Sequence, residues 1–235
     1  SMLAMGKSPD EIRGIFASAK FQSMVKGRFK YINWKALVPF GAWTPGFFKL
    51  NKFRDYLDTE IYKGITFEEL PTKFICAYTD LENNKTEYCT KGSVADAVTF
   101  SITFPIIFES LNGRFYDGGL KINCPTSILK ANGAKYVIAS DLTSISNPFY
   151  AYNEGILSFI NRVFDVLWTE TFVDDLNCAD VVISPPLDSI KFFDFDKLNE
   201  IHNIIDLYMG SRLIRTKLLD LVNIISKDES NEAIK

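Results

Sequence analysis

Two short apolar runs, in GAKYVIASDL (residues 133–142) and CADVVISPPL (residues 178–187), constrain the fold of this chain more than any other feature. Neither shows the apolar-polar alternation of a strand with one wet face, and each follows sequence of helical character, so both read as buried parallel strands. Parallel neighbours require a crossover, usually a helix, which puts helices on the faces of the sheet. A chain of 235 residues with 47% hydrophobic side chains can bury such a core. Ser8-Pro9-Asp10-Glu11 is a capping box that opens a helix to about residue 19, residues 20–54 are loop-rich, and Leu50 to Lys63 forms a second helix. PTKFICAYTDL and KTEYCTK pair as a hairpin around Asn83-Asn84. SVADAVTFSITFPIIF (residues 93–108) starts a buried helix at Ser93 that ends at or before Phe104, because Pro105 disfavours helical geometry in the preceding residue. GRFYDGG then gives a short strand and turn, Pro125 to Ala131 a helix closed by Gly133, and residues 196–225 an amphipathic helix or helix pair, followed by a polar frayed end at 227–235. No linker divides the chain, so a single α/β domain over residues 1–235 is expected.

The same sequence limits the function classes. No apolar run reaches the roughly 18–20 residues of a bilayer span, and SMLAMGKSPDE lacks the charged start and cleavage pattern of a signal peptide. A soluble, cytoplasmic protein is expected. Cys76, Cys89, Cys124 and Cys178 lie far apart, without Cys or His neighbours at ligand spacing, so reduced thiols are expected and neither a metal nor a cofactor is called for. Charge is uneven: residues 1–54 carry ten Lys and Arg against Asp10 and Glu11, in a chain whose net charge is −3. In FKYINWKALVPFGAWTPGFFKL (residues 29–50) cations alternate with aromatics that include Trp34, Trp43, Phe47 and Phe48. Taken alone, core aromatics with a solvated cationic rim explain this segment best. Contact with an anionic membrane surface, which would make the protein peripheral to membranes, ranks second. Single-stranded nucleic acid ranks last, because the acidic remainder of the chain repels phosphate.

His202 is the only histidine and lies in LNEIHNIIDLYM, where apolar residues recur at helical spacing, so a Ser-His-Asp or Cys-His mechanism has little to stand on. An enzyme built from this inventory must move protons with a carboxylate. Asp117, in NGRFYDGGLKINCP (residues 112–125), is the candidate, with Gly118 and Gly119 allowing a tight turn and close substrate approach. On spacing alone, however, Asp-Gly-Gly is better read as a hairpin turn.

The order of several segments favours the chemical reading. AVTFSITFPIIFESLNGRFYDGGLKINCP (residues 97–125) resembles the run of small residues, proline, glycine-arginine strand, D-G-G and N-x-P of the patatin-like phospholipase family. MGKSPDEI is similar to the helix connection after that family's nucleophile, ITFEELPTKFICAYTDLENNKTEYCTKG to its Thr-Asp-Leu hairpin, and ADVVISPPLDSIKFFDFDK to its later strand and phenylalanine-aspartate segment. The resemblance covers roughly residues 3–215. It implies a three-layer α/β/α fold with a mixed, mainly parallel sheet, and a lipid acyl hydrolase with a Ser-Asp dyad. Asp117 would be its general base and a phospholipid or lysophospholipid its substrate.

One departure qualifies that expectation. The family's serine sits in a G-x-S-x-G elbow about ten residues before LAMGKSPDEI, after a glycine-rich oxyanion loop, and no G-x-S-x-G occurs in these 235 residues. Gly6-Lys7-Ser8 is a helix cap, and Gly210-Ser211 lies in helical sequence. Either a segment preceding Ser1, or a second chain, supplies the first βα unit and the serine, or the chain is a non-catalytic derivative that binds lipid or protein. The first is expected, because a sheet without its first βα unit exposes a central edge. The 235 residues alone are then inactive.

Overall fold

The computed structural model describes residues 1–26, 46–142, 163, 176–187, 189–190 and 197–232. The chain divides into two compact units, Ser1–Asn123 and Cys124–Lys235.

In the first unit the capping box forms as expected: Glu11 N–H donates to Ser8 Oγ at 3.2 Å and Ser8 N–H to Glu11 Oε2 at 2.7 Å, opening α1 (Pro9–Ala17). Ser18 breaks the helix with extended geometry, and α2 (Ala19–Lys26) follows where loop was expected. Its Phe21 ring reaches Phe53 and Tyr56 of α3 (Asn51–Tyr56), which continues as one π-helical turn over Leu57–Tyr62. Lys63 and Gly64, both at positive φ, end that helix where the sequence predicts.

The hairpin also forms, β2 (Cys76–Asp80) pairing antiparallel with β3 (Lys85–Cys89) from Cys76↔Cys89 to Asp80↔Lys85. Ser93 caps α4 (Val94–Ser101), accepting from Asp96 N–H at 3.2 Å. Small buried residues on α4, Ala95, Ala97 and Thr99, let the helix lie against β2. The helix stops ahead of Pro105, and the apolar residues after it form β4 (Ile106–Glu109), parallel to β1 (Gly46–Lys49). Neither strand is expected from the sequence. β5 (Phe115–Asp117) completes a three-stranded antiparallel sheet of order β3-β2-β5. Tyr62, Leu57, Val94, Ala95, Ala97 and Cys76 form the centre of the core, with Met2, Met5, Ile15 and Phe21 packed on it.

In the second unit α5 (Thr126–Ala131) closes at Gly133 (φ 89°), and β6 (Ile138–Ser140) pairs parallel with β7 (Val181–Ile183), as their apolar runs predict, but β6 is not buried as expected, since Ile138 and Ser140 are exposed. The tail is two helices, α6 (Leu198–Gly210) and α7 (Arg212–Glu232). The polar end expected to fray is helical as far as Glu232, because Asp228 is held by Tyr136 and Lys135. The architecture is α/β with mixed sheets: among the described residues, two parallel pairs and one antiparallel sheet. No helix among the described residues is long and apolar enough to cross a membrane.

Candidate active site

Asp117 is the last residue of β5, the position at which a strand delivers a side chain to a turn. Three tethers fix it. Its N–H donates to Thr103 O at 3.0 Å, its carbonyl accepts from Thr79 Oγ1 at 2.9 Å, and its Oδ1 accepts from Gly119 N–H at 2.8 Å. Among the described residues, Oδ2 has no hydrogen-bond partner. The side chain is partly accessible, yet burial pushes its pKa up from 3.8 to about 6, against the smaller opposing effect of the Gly119 N–H. Such a carboxyl is ionised at neutral pH and still basic enough to accept a proton.

The glycines after Asp117 have a packing reason more than a turn reason, since neither has a positive φ. A Cβ on Gly118 would lie 2.6 Å from Ala77 O on β2, so only glycine lets the two backbones meet. One on Gly119 would meet Asn123 Oδ1 at 2.9 Å and Asp117 Oδ1 at 3.2 Å, both ends of side chains.

Neighbouring residues hold β5 in place. Asp80, with no exposed surface, receives Arg114 through both Nε (2.9 Å) and Nη2, and also the N–H and side-chain amide of Asn83. The guanidinium holds the Asp80 carboxyl well below the usual range. Leu81 N–H donates to Arg114 O, and the Asn112 side-chain oxygen accepts from the N–H groups of Arg114 and Phe115 at 3.0 Å each. Sequence alone does not single out Thr79, Asp80, Thr103, Asn112 or Arg114, although Thr79-Asp80-Leu81 and Gly113-Arg114 lie in the motifs quoted above. Their signal is those motifs; what sequence does not show is that they meet.

Other candidates are set apart from this site. Burial pushes the Cys76 thiol up to about 11, which leaves no thiolate to act as nucleophile at neutral pH. His202 lies half-buried on α6. Among the described residues no three His, Cys, Asp or Glu side chains group as metal ligands do. Of the aromatics expected at a lipid surface, Trp34 and Trp43 lie outside the described residues, and Phe47 is in β1. Phe48 is 8% exposed, its ring 6.3 Å from that of Phe108, because the β1–β4 pairing turns it into the protein, which is the core placement that ranks first for this segment and not the lipid contact that ranks second.

A family model described as patatin-like phospholipase matches residues 1–130. Lysophospholipase NTE1 of Scheffersomyces stipitis is 22% identical over 174 residues, which cover 62% of this chain and 11% of that protein's length.

Proposed function

The chain belongs to the patatin-like phospholipase family, and from that premise we propose that Asp117 is the general base of a Ser-Asp site that hydrolyses acyl esters of phospholipids or lysophospholipids. The observation that carries this is the Asp117 carboxyl itself: desolvated, anchored through Oδ1 by Gly119 N–H, with Oδ2 unengaged among the described residues. Because no G-x-S-x-G occurs in these residues, the nucleophile in this reading is supplied by a preceding segment or a second chain. Asp117 takes the proton of the serine hydroxyl as its oxygen attacks the ester carbonyl. Collapse of the tetrahedral adduct breaks the ester bond, and the leaving alkoxide takes the proton back from Asp117. Water, deprotonated by the same carboxylate, then cleaves the acyl-enzyme to the free acid and regenerates the serine. The oxyanion donors lie with the serine in this reading. A lipid hydrolase works at an interface, and the basic, aromatic segment at residues 29–50 is our candidate for that contact.

Hydrolysis of a short-chain nitrophenyl ester tests the reading. The 235-residue chain alone is expected to be inert, and the chain joined to a serine-bearing elbow segment to turn over, with Asp117→Asn abolishing turnover. Hydrolysis by the chain alone that Asp117→Asn abolishes would place the nucleophile within these residues. Sedimentation with anionic liposomes but no hydrolysis, even with the serine restored, would make the protein a non-catalytic lipid-binding module.

A further inference from the structure

We propose that Thr79 is a positioning residue for Asp117: its buried hydroxyl holds the carbonyl of residue 117 and thereby sets the direction in which the carboxyl leaves β5. The proposal rests on the reading of Asp117 as the base, and adds a residue to it. Thr79 is 1% exposed and opposes Tyr116 in the β2–β5 register, one residue short of the strand end. Its Oγ1 donates to Asp117 O at 2.9 Å, so the last carbonyl of β5 is held by a side chain.

That carbonyl belongs to the peptide that joins Asp117 to Gly118, and its direction is the ψ angle of Asp117, here 131°. The ψ angle in turn sets where the next peptide places Gly119 N–H, the group that grips Asp117 Oδ1 at 2.8 Å. Rotation of the 117–118 peptide would therefore remove the N–H from the carboxylate. On the other side, Asp117 N–H is held by Thr103 O at 3.0 Å, and β2 cannot slide away, because Asp80 is clamped to Arg114 at the start of β5. With those anchors in place, the Thr79 hydroxyl is the contact that fixes the peptide after Asp117. A hydroxyl suits this buried position, because it donates across from the neighbouring strand without carrying charge.

The test is an NMR titration of the 235-residue chain, reading the Asp117 carboxyl carbon and the Gly119 amide proton. In the parent both are expected to report one midpoint, near 6. Thr79→Val keeps the shape and removes the donor. It is expected to raise the midpoint by about one unit, because the Gly119 N–H that favours the charged carboxylate is lost, and to uncouple the Gly119 amide from the titration. Thr79→Ser, which keeps the hydroxyl, restores both signals. Thr79→Ala, which only removes atoms, is read in the same way should the valine variant not fold. A parent-like midpoint and a coupled Gly119 amide in the valine or alanine variant would overturn the proposal, as would a serine variant that behaves like valine. None of these signals depends on ester hydrolysis, so failure of the positioning role and failure of the hydrolase reading are separable.

Discussion

At the scale of single residues, Asp117 is the side chain whose local environment departs furthest from what its place in a turn requires. A turn aspartate is solvated and titrates near its ordinary value. Asp117 titrates near 6 because burial disfavours its charge. A carboxyl whose pKa is raised by folding favours the folded state while protonated, so this contribution is fully present below about pH 4 and is lost as the pH rises through about 6. Asp117→Asn removes that loss. In urea denaturation the variant is expected to match the parent near pH 4 and to exceed it by about 2 kcal/mol at pH 8, allowing for solvent that still reaches the carboxyl. Equal stability at both pH values would mean that burial does not perturb this group. A residue that is more stable neutral, held charged at neutral pH, fits a functional role better than a structural one.

At the scale of elements, β2 is the organiser: it pairs with β3 and β5, carries Thr79 and Asp80, and presents the Ala77 backbone to Gly118. Gly118→Ala is expected to cost about 1–3 kcal/mol, because its Cβ meets backbone that can yield only by parting two strands. Gly119→Ala meets side-chain ends and costs less; thermal melts that reverse this order would contradict the packing. The hairpin, the Ser93 cap and the pairing of β6 with β7 are legible in sequence because their signals are local: turn residues, a capping serine, uninterrupted apolar runs. β1 and β4 are not, since GFFK and IIFE are four-residue strands whose parallel pairing joins distant parts of the chain. For α2 the signals are weak, a lone Ser18, which accepts from Phe21 N–H, with no Glu or Gln at the third helical position, and Gly27 after Lys26; the extended helical end of α7 depends on Tyr136, far off in sequence. The candidate site divides along the same line. Asp117 is announced by the residues beside it, whereas Thr79 acts on it from the neighbouring strand and Thr103 from the segment between α4 and β4.

At the scale of the whole molecule, every residue that holds Asp117 belongs to the unit Ser1–Asn123, and the family match extends over that unit to residue 130. The candidate site thus lies in the first unit, although the segments at residues 133–142 and 178–187 first suggest the α/β fold. Lysophospholipase NTE1 of Scheffersomyces stipitis is matched over 11% of its own length, so the matched region is a small part of that protein. The proposed base Asp117 would be half of a catalytic pair, held by Thr79, Thr103 and Gly119. The measurement that tests it most directly is the pH dependence of kcat/KM for nitrophenyl ester hydrolysis by the chain joined to a serine-bearing elbow segment, with and without Asp117→Asn. The account predicts activity that rises with pH through an apparent pKa near 6 and falls by about 10³-fold or more in the asparagine variant; a variant that keeps activity within about tenfold of the parent, with the same pH profile, would contradict it.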